Sequence, residues 1–139
     1  MTDEHTGTIL VVDDSPANIA LLSDMLTKRG HKVHAADDGL LALRMVKSVQ
    51  PDLVLLDIVM PNMDGFKVCQ YLKAGVDTCD VPVVFMTSLA DTRDKVRGFR
   101  LGAADYITKP FQSEEVLARV DTLLSLHSLR KRLVVQNAD

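Results

Sequence analysis

Three carboxylates, a hydroxyl and an ammonium stand where short apolar runs of this chain end. Asp13 and Asp14 follow Ile9–Val12, Asp57 follows Leu53–Leu56, Thr87 follows Val81–Met86, and Lys109 comes just after Tyr106–Ile107. One aspartate after a strand is as often a helix cap or a solvated loop residue as a functional group. Complementary groups at four run ends, around one predicted crevice, are a pattern. Three ionised carboxylates brought close together raise one another's pKa unless a cation intervenes. Lys109 cancels one of the three charges and a divalent ion would cancel the other two. An all-oxygen donor set with room for water suits Mg²⁺ better than zinc, which prefers nitrogen or sulfur. Carboxylate, Mg²⁺, lysine and hydroxyl are the nucleophile, bridging cation, charge clamp and hydrogen-bond donor of phosphoryl transfer. Asp57, on the middle run, is the candidate nucleophile, and an aspartate needs no base at neutral pH. Its product would be an acyl phosphate, a labile bond suited to a temporary mark.

The elements that must hold these groups can be read from periodicity. The four apolar runs, mostly β-branched and too short for helices, predict strands, and Lys32–Ala36, of mixed polarity, predicts a fifth at a sheet edge. Between them lie helical repeats. Ser15 and Pro16 open a helix with Ile19, Leu22, Met25 and Leu26 on one stripe, and Gly30 ends it. Asp38 caps a second carrying Leu40, Leu41, Leu43 and Val46, and Phe66, Val68, Cys69 and Leu72 mark a third. A fourth, from about Asp91 to Leu101, is weakened by Gly98 at a cost of ~1 kcal/mol and stopped by Gly102. Ser113, followed by Glu114 and Glu115, is expected to cap a fifth bearing Val116, Leu117, Val120, Leu123 and Leu124. Strands alternating with helices imply parallel pairing through right-handed crossovers. The expected fold is α/β, a flavodoxin-like three-layer sandwich whose five-stranded parallel sheet has the order 2-1-3-4-5, with five helices. Ligands of such sheets sit beyond the strands' carboxyl ends where the winding reverses, here between the first and third strands.

Composition narrows the function classes. With 139 residues, 47% hydrophobic and 25% charged, the chain fits one globular domain with a core of its own. A net charge of -3 lacks the basic footprint of a nucleic-acid binder, and no apolar stretch is long enough to span a membrane. Cys69 and Cys79 form no CxxC pattern and read as free thiols, which with no secretory signal points to the cytoplasm. His5, His31, His34 and His127 all lie away from the strand ends and read as surface or partly buried residues.

Taken together, Asp13-Asp14, Asp57, Met60-Pro61 through Asp64-Gly65, Thr87-Ser88 and Tyr106 to Phe111 resemble the motif set of a two-component response-regulator receiver domain. The resemblance covers residues 8–127, between a flexible tail at 1–7 and a helical extension or linker at 128–139. It implies that Asp57 takes a phosphoryl group from a histidine kinase or histidine phosphotransfer protein. It also implies that Asp13, Asp14, Asp57 and the carbonyl of Val59 hold Mg²⁺, and that Lys109 pairs with the phosphoryl oxygens. Thr87 would swing to donate to one of them, Tyr106 would follow it inward, and Pro110 would sit after a cis peptide. Phosphorylation, by adding charge and acceptor oxygens, would then alter the surface of helix four, strand five and helix five. This makes the chain a phosphoacceptor regulator that catalyses only its own phosphorylation and dephosphorylation.

Two positions depart from the commonest receiver patterns. Val59 and Leu89 offer no polar group to position a water, from which slow hydrolysis of the phosphate is expected. In the extension, Leu126, Leu129 and Leu133 fall at helical spacing beside Arg130, Lys131 and Arg132, which leaves open a homodimer or an output domain outside this chain. Acidic Asp121 stands where receivers feeding winged-helix outputs often carry arginine. The rival reading is an aspartyl-phosphate-forming phosphatase of haloacid-dehalogenase type. That chemistry needs a second aspartate two residues past the nucleophile, where this chain has Val59. A phosphate-cradling glycine loop, GxxxxGK[ST] or GxGxxG, is absent.

Overall fold

The computed structural model describes residues 6–88 and 92–137. Strands and helices alternate throughout, as β1 (Thr8–Val12), α1 (Pro16–Lys28), β2 (Lys32–Ala36), α2 (Gly39–Val49), β3 (Leu53–Asp57), α3 (Gly65–Ala74), β4 (Val83–Thr87), α4 (Thr92–Arg100), β5 (Asp105–Thr108) and α5 (Ser113–Asn137). All strand pairs are parallel and the order is β2-β1-β3-β4-β5, as expected from the alternation of elements. The uniformly apolar strands are central because both faces are covered, and every residue of β3 and β4 is buried.

Side-chain alternation splits the core in two. Ile9 and Val11 of β1, with Leu53 and Leu55 of β3, face Leu22 and Leu26 of α1 and Val116, Val120 and Leu124 of α5. Leu10, Val12, Val54 and Leu56 face the other way, onto Ala42 and Val46 of α2 and Phe66, Val68 and Leu72 of α3. The site therefore hangs on strand ends that are clamped between two apolar layers.

Helix ends are set by local chemistry. The Ser15 hydroxyl accepts from the Asn18 amide with Pro16 in the first turn, Asp38 accepts from Leu41 N–H at 2.7 Å, and Asp64 accepts from Lys67 N–H at 2.9 Å. Gly30 follows α1 with φ +97°, and Gly102 follows α4 with φ +104°, a backbone region that favours glycine.

Several expectations need correction. Of the expected stripe of α2, Val46 is buried and Leu43 packs alongside with Met45, but Leu40 and Leu41 are 55% and 38% exposed and Ala42 is buried in their stead. Ser113 is the first residue of α5, and the Gln112 carbonyl accepts its first bond, from Val116 N–H. His31 and His127, read as surface or partly buried, are buried. Of the expected tail, residues 1–5 and hence His5 lie outside the described residues, while Gly7 exchanges hydrogen bonds with His31 Nδ1 and Lys32 N–H. Asp91 and Leu89 also lie outside them. Cys69 and Cys79 are free thiols.

Candidate functional site

The carboxyl ends of β1, β3, β4 and β5 form one rim. Backbone hydrogen bonds continue the sheet past its strands, from Asp13 N–H to Ala36 O, Ile58 N–H to Met86 O and Lys109 N–H to Thr87 O, so each site residue is held by a ladder at its root. Lys109 reaches across the rim. Its Nζ lies 3.1 Å from Asp13 Oδ2 and 3.3 Å from Asp57 Oδ2. Asp14 is exposed beside them, and one carboxylate oxygen from each of Asp13, Asp14 and Asp57 falls within 4.8 Å of the others.

Burial makes this arrangement electrostatically tense. Asp13 is fully buried and Asp57 is 4% exposed. Desolvation, then the charge of Asp13, push the Asp57 carboxyl up from 3.8 to about 6, against the lowering pull of Lys109 and a hydrogen bond from the Val59 amide. One ammonium facing three carboxylates leaves a surplus of two negative charges. A hard divalent cation fits that surplus and the all-oxygen donor set. Val59 itself is 61% exposed at the rim, so its apolar side chain borders the site without closing it.

Gly65 explains part of the motif after Asp57. A Cβ there would collide with the Asp57 carbonyl oxygen and lie 2.9 Å from Ile58 Cα, and its N–H donates to Ile58 O at 2.8 Å. Only a bare backbone lets the start of α3 come this close to the end of β3.

Thr87 ends β4 at 2% exposure, paired in register with Thr108. Tyr106, one register step back beside Phe85, is already inward and buried. Its hydroxyl donates to Asp94 O at 2.6 Å and Lys95 O at 3.1 Å on α4, and its ring packs on Phe85 and Phe99. Burial raises the phenol pKa above its usual range. The Lys109–Pro110 peptide bond is cis.

Gly98 has a role that its helix propensity conceals. A Cβ on it would collide with the Tyr106 hydroxyl. Gly98→Ala gains up to ~1 kcal/mol of helix propensity but overpacks by ~1–3 kcal/mol, so a melting temperature lowered by about 3–6 °C is expected. An unchanged thermal unfolding curve would show that the ring yields freely.

Two further groups grip Asp13 that helical periodicity does not reveal, namely the Ser15 amide and the Asn18 side chain. An asparagine in the first turn after an acidic pair was the available signal.

The response regulator receiver domain family matches residues 9–121. The DNA-binding dual master transcriptional regulator RpaA of Synechocystis is 47% identical over 116 residues, 84% of this chain and 48% of that protein. A probable cyclic di-GMP phosphodiesterase of Vibrio cholerae is 41% identical over 137 residues, 99% of this chain and 31% of that protein. The chain thus spans half or less of the length of both relatives. The crystal structure of the signal receiver domain of a Syntrophus aciditrophicus histidine kinase superposes with a TM-score of 0.79 at 39% identity, covering 86% of this chain and 90% of that one. None of these is a haloacid-dehalogenase-type phosphatase. Sheet order, rim and relatives agree that the chain belongs to the response regulator receiver domain family, the modules of two-component signalling.

Proposed function

We propose that Asp57 is the phosphoacceptor of this receiver, taking a phosphoryl group from a phosphohistidine of a histidine kinase or phosphotransfer protein. The observation that carries the reading is the Lys109 ammonium shared between Asp13 and Asp57 beside the exposed Asp14. An Asp57 oxygen attacks phosphorus while the P–N bond breaks. The departing imidazole nitrogen keeps the bonding pair. Lys109 follows the phosphoryl oxygens, and Thr87 supplies a hydroxyl donor from the end of β4.

Asp13, Asp14, Asp57 and the Val59 carbonyl would hold Mg²⁺, which when bound offsets the carboxylate surplus and the charge on the phosphoryl oxygens. Phosphorylation takes residue 57 from one negative charge to roughly two. Tyr106 then serves as the bistable element, because its hydroxyl bonds to α4 are the ones a rotation would exchange. The surface that responds is α4–β5–α5.

The same reading makes this a cytoplasmic regulator with no turnover chemistry beyond its own phosphate. Its output is exercised by a partner or by an output domain outside this chain. The continuation of α5 to Asn137 and the likeness to the Vibrio protein over 137 residues support the extension from residue 128 as a connection, and the half-exposed Leu126, Leu129 and Leu133 offer a face for homodimerisation. Direct nucleic-acid or membrane binding is not part of it, and among the described residues no helix is long and apolar enough to cross a membrane.

The test is intact mass after incubation with a small acyl phosphate or phosphoramidate and Mg²⁺. Wild type is expected to gain one phosphoryl group and Asp57→Asn none. An equal gain in the variant would move the acceptor elsewhere.

A further inference from the structure

Asp13 is held by more than Lys109. Ser15 N–H donates to its Oδ1 at 2.9 Å, and Asn18 Nδ2 donates to its Oδ2 at 3.2 Å, the oxygen that Lys109 also contacts at 3.1 Å. Both donors come from the start of α1, whose geometry is fixed locally. Pro16 opens the helix, and Ser15 Oγ accepts the Asn18 amide at 3.3 Å, which sets the turn that carries the Asn18 side chain back over the carboxylate. The result is a two-point clamp on a fully buried carboxylate, one donor on each oxygen.

We infer that Asn18 is a positioning residue for the cation site, orienting Asp13 and satisfying its Oδ2 so that Lys109 is free to leave for the phosphoryl group. The inference rests on the phosphoacceptor reading above. Lys109 serves two buried carboxylates at 3.1 and 3.3 Å, and drawing it toward a phosphorylated Asp57 strips Asp13 of its only charged partner among the described residues. A buried carboxylate left with too few donors is costly, and it would hold the ammonium back. The Asn18 amide is neutral, so it fills that need without competing with a metal ion for negative charge. It also fixes the plane of the carboxylate, leaving Oδ1, with a single backbone donor, directed for coordination.

The experiment compares wild type with Asn18→Ala and Asn18→Leu. The first removes the side chain at a partly exposed helical position where alanine is well tolerated, and the second keeps its volume without the donor. Mg²⁺ affinity is read from the Mg²⁺-dependent rise in melting temperature, independently of any phosphorylation. The half-saturating Mg²⁺ concentration is expected to rise about fivefold in both variants. The phosphorylation rate at saturating Mg²⁺ should also fall, by about threefold or more, because Lys109 is then held at Asp13. A rise of less than about twofold in half-saturating Mg²⁺ in either folded variant would overturn the inference. A wild type that binds Mg²⁺ but gains no phosphoryl group would defeat the phosphoacceptor reading and leave the Asn18 comparison intact.

Discussion

In the absence of Mg²⁺, Asp57→Asn is expected to melt about 5 °C above wild type at pH 7.5. The carboxyl is buried at 4% exposure and titrates near 6 in the folded protein, against 3.8 for an unperturbed aspartate. A raised carboxyl pKa means that the folded state binds the proton more tightly than the unfolded chain, so stability falls as pH rises from about 4 to about 6 and stays low above that. A rise of that size corresponds to roughly 3 kcal/mol at neutral pH. Asparagine removes that penalty, less whatever its amide fails to recover from Lys109 and the Val59 amide. A net gain of ~1–2 kcal/mol gives the expected increase for a domain of this size. At pH 5 the folded carboxyl is largely protonated already, the penalty falls to about half, and the net gain should nearly vanish. Mg²⁺ should stabilise wild type and narrow the gap. Thermal unfolding of both proteins across pH checks this, and a variant no more stable than wild type at pH 7.5 would show that the rim is not strained.

Lys109→Met, which leaves the acceptor in place, should lose about 100-fold or more in the rate of phosphorylation. Methionine keeps much of the apolar stem and removes the one ammonium that touches both Asp13 and Asp57. Two consequences follow. The charge clamp on the phosphoryl oxygens disappears, a type of donor commonly worth about 10²–10³ in rate. The Asp57 carboxyl, deprived of the influence that lowers its pKa, moves further above about 6, so that less of the nucleophile is ionised near neutrality. Initial rates by intact mass between pH 6 and 8.5 separate the two, because raising the pH restores ionisation but not the clamp. A loss smaller than tenfold at pH 8.5 would assign the clamp to another group.

Much of this architecture is written locally. β1, β3 and β4 are covered on both faces, so they must be continuous apolar runs, and their ends are marked by the first residue that burial would reject: Asp13, Asp57, Thr87. The convergence of those residues then follows from parallel strands and right-handed crossovers. What the residues do not announce is anything settled by a partner distant in the chain. Leu40 and Leu41 match the helical period of α2 but lie on its solvent side, because Gly39, Ala42 and Val46 take the face that packs toward Val68. Gly98 looks like a weak point until Tyr106 fills its missing side chain. His31 and His127 read as surface or partly buried residues, whereas the fold buries both. Asn18 reads as a helix residue, and only the path of α1 back over Asp13 turns it into a donor at the rim.

The length of α5 has a mechanical consequence. Its 25 residues run unbroken from Ser113 to Asn137, a rod of about 37 Å. Its first turn follows the loop after β5, and its later part is tethered to the amino ends of β1 and β3 by Lys131 at 3.1 Å from Asp52, whose other oxygen accepts from Thr8 N–H. A tilt of about 5° pivoting near the first turn would sweep the far end through roughly 3 Å. Ångström-scale rearrangement beside the aspartates would thereby be geared up into a displacement as large as an atom, at the amino ends of the strands.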